Sequence, residues 1–159
     1  VPIVLARIDD RLIHGQVAHG WAALRATLFV VVSDALSADP GLAELYLIAV
    51  PEGARGLVIS VADALKPSFR EEAERERTIL VLPGTDEALR LVEGGFPLAE
   101  INVGGLHFSE GKREILPYVF WDDADRARLS RLAARGIGIA AQDLPANPAH
   151  DLKAHLAAR

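Results

Sequence analysis

The chain predicts an α/β protein, built on an open, mainly parallel sheet with helices on both faces. Three observations predict it. Short runs of almost wholly apolar residues recur along the 159 residues, and such runs suit strands buried on both faces. Longer stretches with helical spacing or dense charge lie between them. Glycine, proline or a capping residue marks most of the boundaries, giving the strand–helix–strand rhythm of a parallel sheet.

Residues 2–8 form the first apolar run, and residues 9–11 make a charged loop. A helix is expected from about His14, since Val17, Trp21 and Leu24 recur at helical spacing. Gly15 and Gly20 weaken it, so packing has to hold it. Residues 27–33 are the second strand, closed by Ser33 and Asp34, of which Asp34 can cap a turn or helix. Residues 38–50 read as helix, with Pro40 near the start and Pro51 and Gly53 beyond the end. A third strand spans 56–61, and Lys66 and Pro67 break a short helix over 62–65. Residues 68–77, dense in arginine and glutamate, read as a solvated helix with i,i+4 pairs.

The fourth strand is 78–82. Thr85 or Asp86 is expected to cap the next helix, which Gly94 and Gly95 stop after Val92. Residues 100–103 form a fifth strand, and Gly104-Gly105 suggests a tight turn. A polar loop follows, then a strand within 114–121 that Pro117 places at an edge or a bend. Asp122 and Asp123 open a helix to Arg135, acids at its positive end and arginines towards its negative end. Residues 137–141 are the last strand and 148–158 a terminal helix. With no repeat or linker, residues 1–159 are expected to form a single domain.

Half the residues are hydrophobic and a quarter charged, enough for a real core. The absence of cysteine excludes disulfides, thiolate metal sites and a cysteine nucleophile, and fits a reducing compartment. A net charge of −5 is not a nucleic-acid footprint, so no nucleic-acid partner is expected. No apolar run reaches membrane-span length and no signal-peptide pattern opens the chain, so a soluble protein is expected, reaching any membrane process by docking. The serines lie in no nucleophile-elbow context, and neither a phosphate-binding loop nor a dinucleotide fingerprint is present. His14 and His19 are five residues apart, as are His150 and His155, which is not the i,i+4 spacing of a helical zinc pair. No metal or other cofactor is expected.

The chemistry concentrates at Arg7-Ile8-Asp9-Asp10-Arg11-Leu12-Ile13-His14-Gly15-Gln16-Val17, where a strand hands over to a helix. The carboxyl ends of strands are where parallel sheets bind ligands. His14 is a nitrogen nucleophile usable near neutral pH, and the start of a helix favours an anion. Arg11, and less directly Arg7, offers planar donors that match phosphate. Gly15 lets a phosphate or a partner come close to His14. Asp9 or Asp10 would repel a phosphoryl group, so their expected part is pairing with arginine, loop capping or orienting the imidazole through its N–H.

This stretch, with Trp21, resembles the active-site signature of the IIB subunits of the bacterial phosphotransferase system, mannose/fructose/sorbose type. Residues 30–34, 91–95, 102–105 with Gly111 and Lys112, and 132–137 are similar to the same family in the same order. His19 departs from it, standing where a small hydroxylated residue is expected. The resemblance implies a doubly wound sheet of about seven strands. It further implies a phosphocarrier that accepts a phosphoryl group from a phosphorylated IIA protein on Nδ1 of His14. That group then passes to a sugar held by membrane IIC and IID subunits, placing the chain in the cytoplasm at the inner membrane. The sugar's identity would be set by those subunits, and a homo-oligomer is left open. Two rivals keep the cradle without sugar transfer: a regulatory phosphorylation sensor and a small-anion-binding domain.

Overall fold

The apolar runs assemble into a seven-stranded sheet in the computed structural model, which describes residues 3–157. The strands are β1 (Ile3–Asp9), β2 (Leu28–Val32), β3 (Arg55–Ile59), β4 (Thr78–Leu82) and β5 (Glu100–Gly105), then a hairpin of β6 (Arg113–Leu116) and β7 (Val119–Trp121), then β8 (Gly138–Ala141) and β9 (His150–Asp151). The sheet order is β3-β2-β4-β1-β5-β8-β9, parallel except for β9, which runs antiparallel to β8. The helices are α1 (Asp34–Ser37), α2 (Pro40–Leu47), α3 (Val61–Ala64), α4 (Pro67–Arg75), α5 (Thr85–Glu93), α6 (Asp123–Ala134) and α7 (Lys153–Ala157).

Strand periodicity divides the core in two. Leu28, Val30, Leu80 and Leu82 face Phe69 of α4, Leu91 of α5 and Leu132 of α6. Phe29, Val31, Ile79 and Val81 face the other way, onto Leu36, Ala43 and three residues of the His14 segment, Leu12, Ile13 and Val17. Every residue of β2 and β4 is buried, as their apolar runs require; the one polar member, Thr78, donates its hydroxyl to the Ala73 carbonyl. Each fully buried Leu, Val or Phe contributes about 1.5–3 kcal/mol of transfer free energy. The segment carrying His14 is therefore anchored to the core by its own apolar residues.

Several local expectations change. Residues 57–59 and 3–5 are half-buried rather than buried: β3 is an edge strand, and the start of β1 lines an open groove. The expected helix after His14 is a π-helical turn, Gln16–Gly20, followed by a 3₁₀ turn, Ala22–Leu24, and it ends at Arg25 with φ 52°. The two glycines lower the cost of departing from α geometry there. The helix expected over 38–50 is the shorter α2, capped by Asp39 with Pro40 in its first turn, and a separate short α1, capped by Ser33, precedes it. Asp34 instead accepts the Val61 N–H and pairs with Arg90. Neither Thr85 nor Asp86 caps α5; Gly84 precedes it, and the Thr85 hydroxyl donates to Asp125.

Gly104 and Gly105 extend β5 rather than forming a turn. The segment around Pro117 is the β6–β7 hairpin, with the proline at its turn, where no ladder N–H is needed. Asp122 and Asp125 form a reciprocal capping box at α6, as the acidic start of that helix foreshadows. The C-terminal stretch is β9 and the short α7 rather than one helix, while Pro2 and Ala158 of the expected elements lie outside the described residues.

Candidate active site

Adjacent strands β1 and β5 part to opposite faces at their carboxyl ends. Leu12, Ile13 and Val17 after β1 pack on one side, and Leu106, Val119 and Trp121 after β5 on the other. That divergence opens a crevice where parallel sheets place ligands. Asp9 is registered there against Gly105.

Asp9 is fully buried and organises the crevice. Its Oδ2 accepts Nε and Nη2 of Arg7, both at 3.2 Å, and pairs with Nε2 of His14 at 3.0 Å. Its Oδ1 accepts the Arg11 backbone N–H at 3.0 Å and lies 3.7 Å from Arg11 Nε. An ionised carboxylate can only accept, so His14 carries its proton on Nε2 and presents the Nδ1 lone pair. Nδ1 accepts the Gln16 backbone N–H at a long 3.4 Å. The His14 side chain is 21% exposed, open enough for an incoming group.

Arg7, expected among the phosphate ligands, has a fully buried guanidinium. Nη1 donates to Asn102 Oδ1 at 2.9 Å and to the Gln142 carbonyl at 3.0 Å, the other two nitrogens hold Asp9, and the Trp21 ring lies 5.7 Å from Cζ. Burial pulls its pKa below the ordinary arginine value while Asp9 pulls it back up. Gly104 makes this possible, because a Cβ there would run into the guanidinium.

Arg11 is the exposed arginine. Its side chain is 43% exposed, and Nη2 donates to Gln16 Oε1 at 2.8 Å. Gly15 has open space around its missing Cβ. Asp10 engages His107, whereas the carboxylate that contacts the His14 ring is that of Asp9. His19 is exposed on the π-helical turn. Leu12, between the acids and His14, adopts φ 62°, a left-handed conformation that is uncommon outside glycine and recurs at functional sites.

A groove of about 960 Å³ runs along the amino-terminal halves of β1, β5 and β8, but Asp9, Arg11 and His14 do not line it. The chemistry sits at the opposite edge. Among the described residues, no group of three or more histidine and carboxylate side chains could hold a metal ion, and no helix is long and apolar enough to cross a membrane.

Residues 3–159 match the profile of the PTS system sorbose subfamily IIB component. The chain belongs to that family. An N-acetylgalactosamine-specific phosphotransferase enzyme IIB component 2 of Escherichia coli K12 is 35% identical over 151 residues, 94% of this chain and 96% of the relative. A mannose-specific EIIAB component of the same strain is 36% identical over 147 residues, 92% of this chain but 46% of that protein, so the chain spans about half of such two-part relatives. The fold of the IIBSor domain of the sorbose permease from Klebsiella pneumoniae superposes with a TM-score of 0.87 at 27% identity, covering 98% of each chain. An N-acetylgalactosamine-specific IIB component 1 from Escherichia coli gives 0.86 at 33% identity, covering 94% of this chain and 98% of the other.

Within this IIB-family chain, the contiguous residues after β1 and the family-like stretch 102–105 are legible from sequence, while the contacts that Asn102, Gln142 and His107 make are not. Asn102 had a signal. It interrupts the buried run between Ile101 and Val103, and a polar residue in a buried strand needs a partner.

Proposed function

We propose that this chain is a IIB phosphocarrier whose phosphoryl acceptor is Nδ1 of His14. One observation carries the proposal: the buried Asp9 carboxylate engages Nε2 of His14 and leaves Nδ1 as the available nucleophile. In the proposed step, the Nδ1 lone pair attacks a phosphohistidine on a IIA protein. The new P–N bond forms as the old one breaks, and its electrons return to the donor imidazole. The His14 ring gains positive charge, which Asp9 offsets across the Nε2–H bond. Arg7 holds Asp9 through two hydrogen bonds, so the carboxylate is fixed where it orients the ring. Arg11 supplies the exposed charge for the phosphoryl oxygens, with room beside Gly15, and Asp10 has no direct part.

The second transfer goes to a sugar held by membrane IIC and IID subunits, at the cytoplasmic side of the inner membrane. The names of the relatives, which include mannose-, fructose-, sorbose- and N-acetylgalactosamine-specific components, support a sugar as final acceptor and span several sugars. No observation favours the sensing or anion-binding alternatives. Radiolabel transfer from a phosphorylated IIA protein tests the proposal. The wild type is expected to take label and His14→Ala to fold and take none, since His14 adds little to the core. Undiminished labelling of His14→Ala refutes it.

A further inference from the structure

The loop after β5 carries an imidazole at the same crevice that the proposed transfer leaves unused. Asp10 grips His107 twice, its Oδ2 accepting the backbone N–H at 2.7 Å and its Oδ1 pairing with ring Nδ1. The Asp10 N–H donates to the Gly105 carbonyl at 3.0 Å. These contacts lock the exit of β1 to the exit of β5 where the two chains diverge. The base is firm, since Leu106 is 2% exposed and tied to the β6–β7 hairpin through Tyr118 and Phe120. The ring also stands close to the acceptor machinery: a Cβ at Gly105 would lie 3.0 Å from both His107 Cε1 and Asp9 Oδ1. Beyond Asp10 the chain passes through the left-handed Leu12, a costly conformation that has to be held from outside the turn.

We infer that His107 is a positioning residue for phosphotransfer. Through Asp10 it fixes the turn of residues 9–11, and so the ring of His14 and the reach of Arg11. The inference rests on the proposed role of His14. Asn is the informative substitution, because its amide nitrogen takes the place of ring Nδ1 and can still donate to Asp10.

The experiment compares wild type, His107→Ala, His107→Asn, Asp10→Asn and the double variant Asp10→Asn/His107→Ala. Three quantities are measured on each: transfer rate from a phosphorylated IIA protein, ring ¹⁵N shifts of His14, and thermal unfolding. His107→Ala is expected to slow transfer about 10- to 100-fold, as small misplacements of reacting groups do. It should also weaken the Nε2–H preference of His14 while moving Tm by less than about 4 °C. His107→Asn should stay within about 3-fold of wild type in rate and keep its ring shifts. Asp10→Asn should match His107→Ala, and the double variant should be no slower than either. Wild-type rate and ring shifts in His107→Ala overturn the inference. So does a His107→Asn variant as impaired as the alanine variant, or a rate loss that only follows the loss of folded protein. If the wild type itself takes no label, the proposed function fails and the phosphotransfer role of His107 fails with it, while the ring shifts, which need no transfer, still decide whether His107 sets the ring of His14.

Discussion

At His14 the two ring nitrogens meet different surroundings, and the difference comes from charges stacked in depth. Arg7 is buried against Asp9, Asp9 touches Nε2, and Arg11 lies outermost. Each layer predicts a different phenotype. The exposed Arg11 should act on rate. Lysine at this position keeps the charge without the planar fork, and Gln loses both, so transfer should fall in the order wild type, Arg11→Lys, Arg11→Gln. The full loss should cost about 2–4 kcal/mol in the transition state, roughly 30- to 1,000-fold in rate. Urea unfolding of these variants should barely change, since the side chain is 43% exposed and its ion pair is loose. The buried layer should act on stability. Asp9→Asn leaves the Arg7 guanidinium enclosed without a counter-charge, and should lower the urea-derived unfolding free energy by about 3–5 kcal/mol. An Asp9→Asn variant as stable as wild type would show that Asn102 and Gln142 satisfy Arg7 by themselves. The sequence shows the arginines and acids but not their depth. The depth of Arg7 is not legible because its partners Asn102 and Gln142 lie 95 and 135 residues away, brought beside it only by pairing of β1 with β5 and β5 with β8.

Strand β5 shows how an element shapes a site it does not visibly belong to. Its glycine pair looks like a turn in sequence, but the strand continues through both residues because Arg7 and Asp9 occupy the space their side chains would fill. Gly104→Ala should therefore displace the guanidinium and slacken its hold on Asp9. A cost of about 1–3 kcal/mol in stability is expected from overpacking, with slower transfer in the fraction that remains folded. Wild-type stability and rate in this variant would mean that the Arg7 network can shift without consequence. The segment after β1 was legible as apolar and helix-like, since Val17 and Trp21 are buried as their spacing suggests. Its π-helical form was not, because the spacing of buried side chains constrains the face and not the hydrogen-bond pattern of a short glycine-flanked turn.

At the scale of the molecule, the alternating apolar runs made the parallel sheet legible. The sheet order, with β1 between β4 and β5, depends on crossovers that local sequence does not encode. That order places the exits of β1 and β5 side by side and sends their loops to opposite faces, so a single crevice receives Asp9, Arg11, His14 and His107. The sequence at β9 reads as helix because a two-residue strand carries too little periodicity to register. The chain belongs to the IIB family, and the central claim about its site is the choice of nitrogen on His14. ¹⁵N–³¹P correlation NMR of the ¹⁵N-labelled chain, after incubation with a phosphorylated IIA protein, addresses that claim most directly. The account predicts phosphorus coupled to Nδ1 of His14, with Nε2 still protonated against Asp9. Coupling to Nε2 of His14, or to the ring of any other histidine, would contradict it.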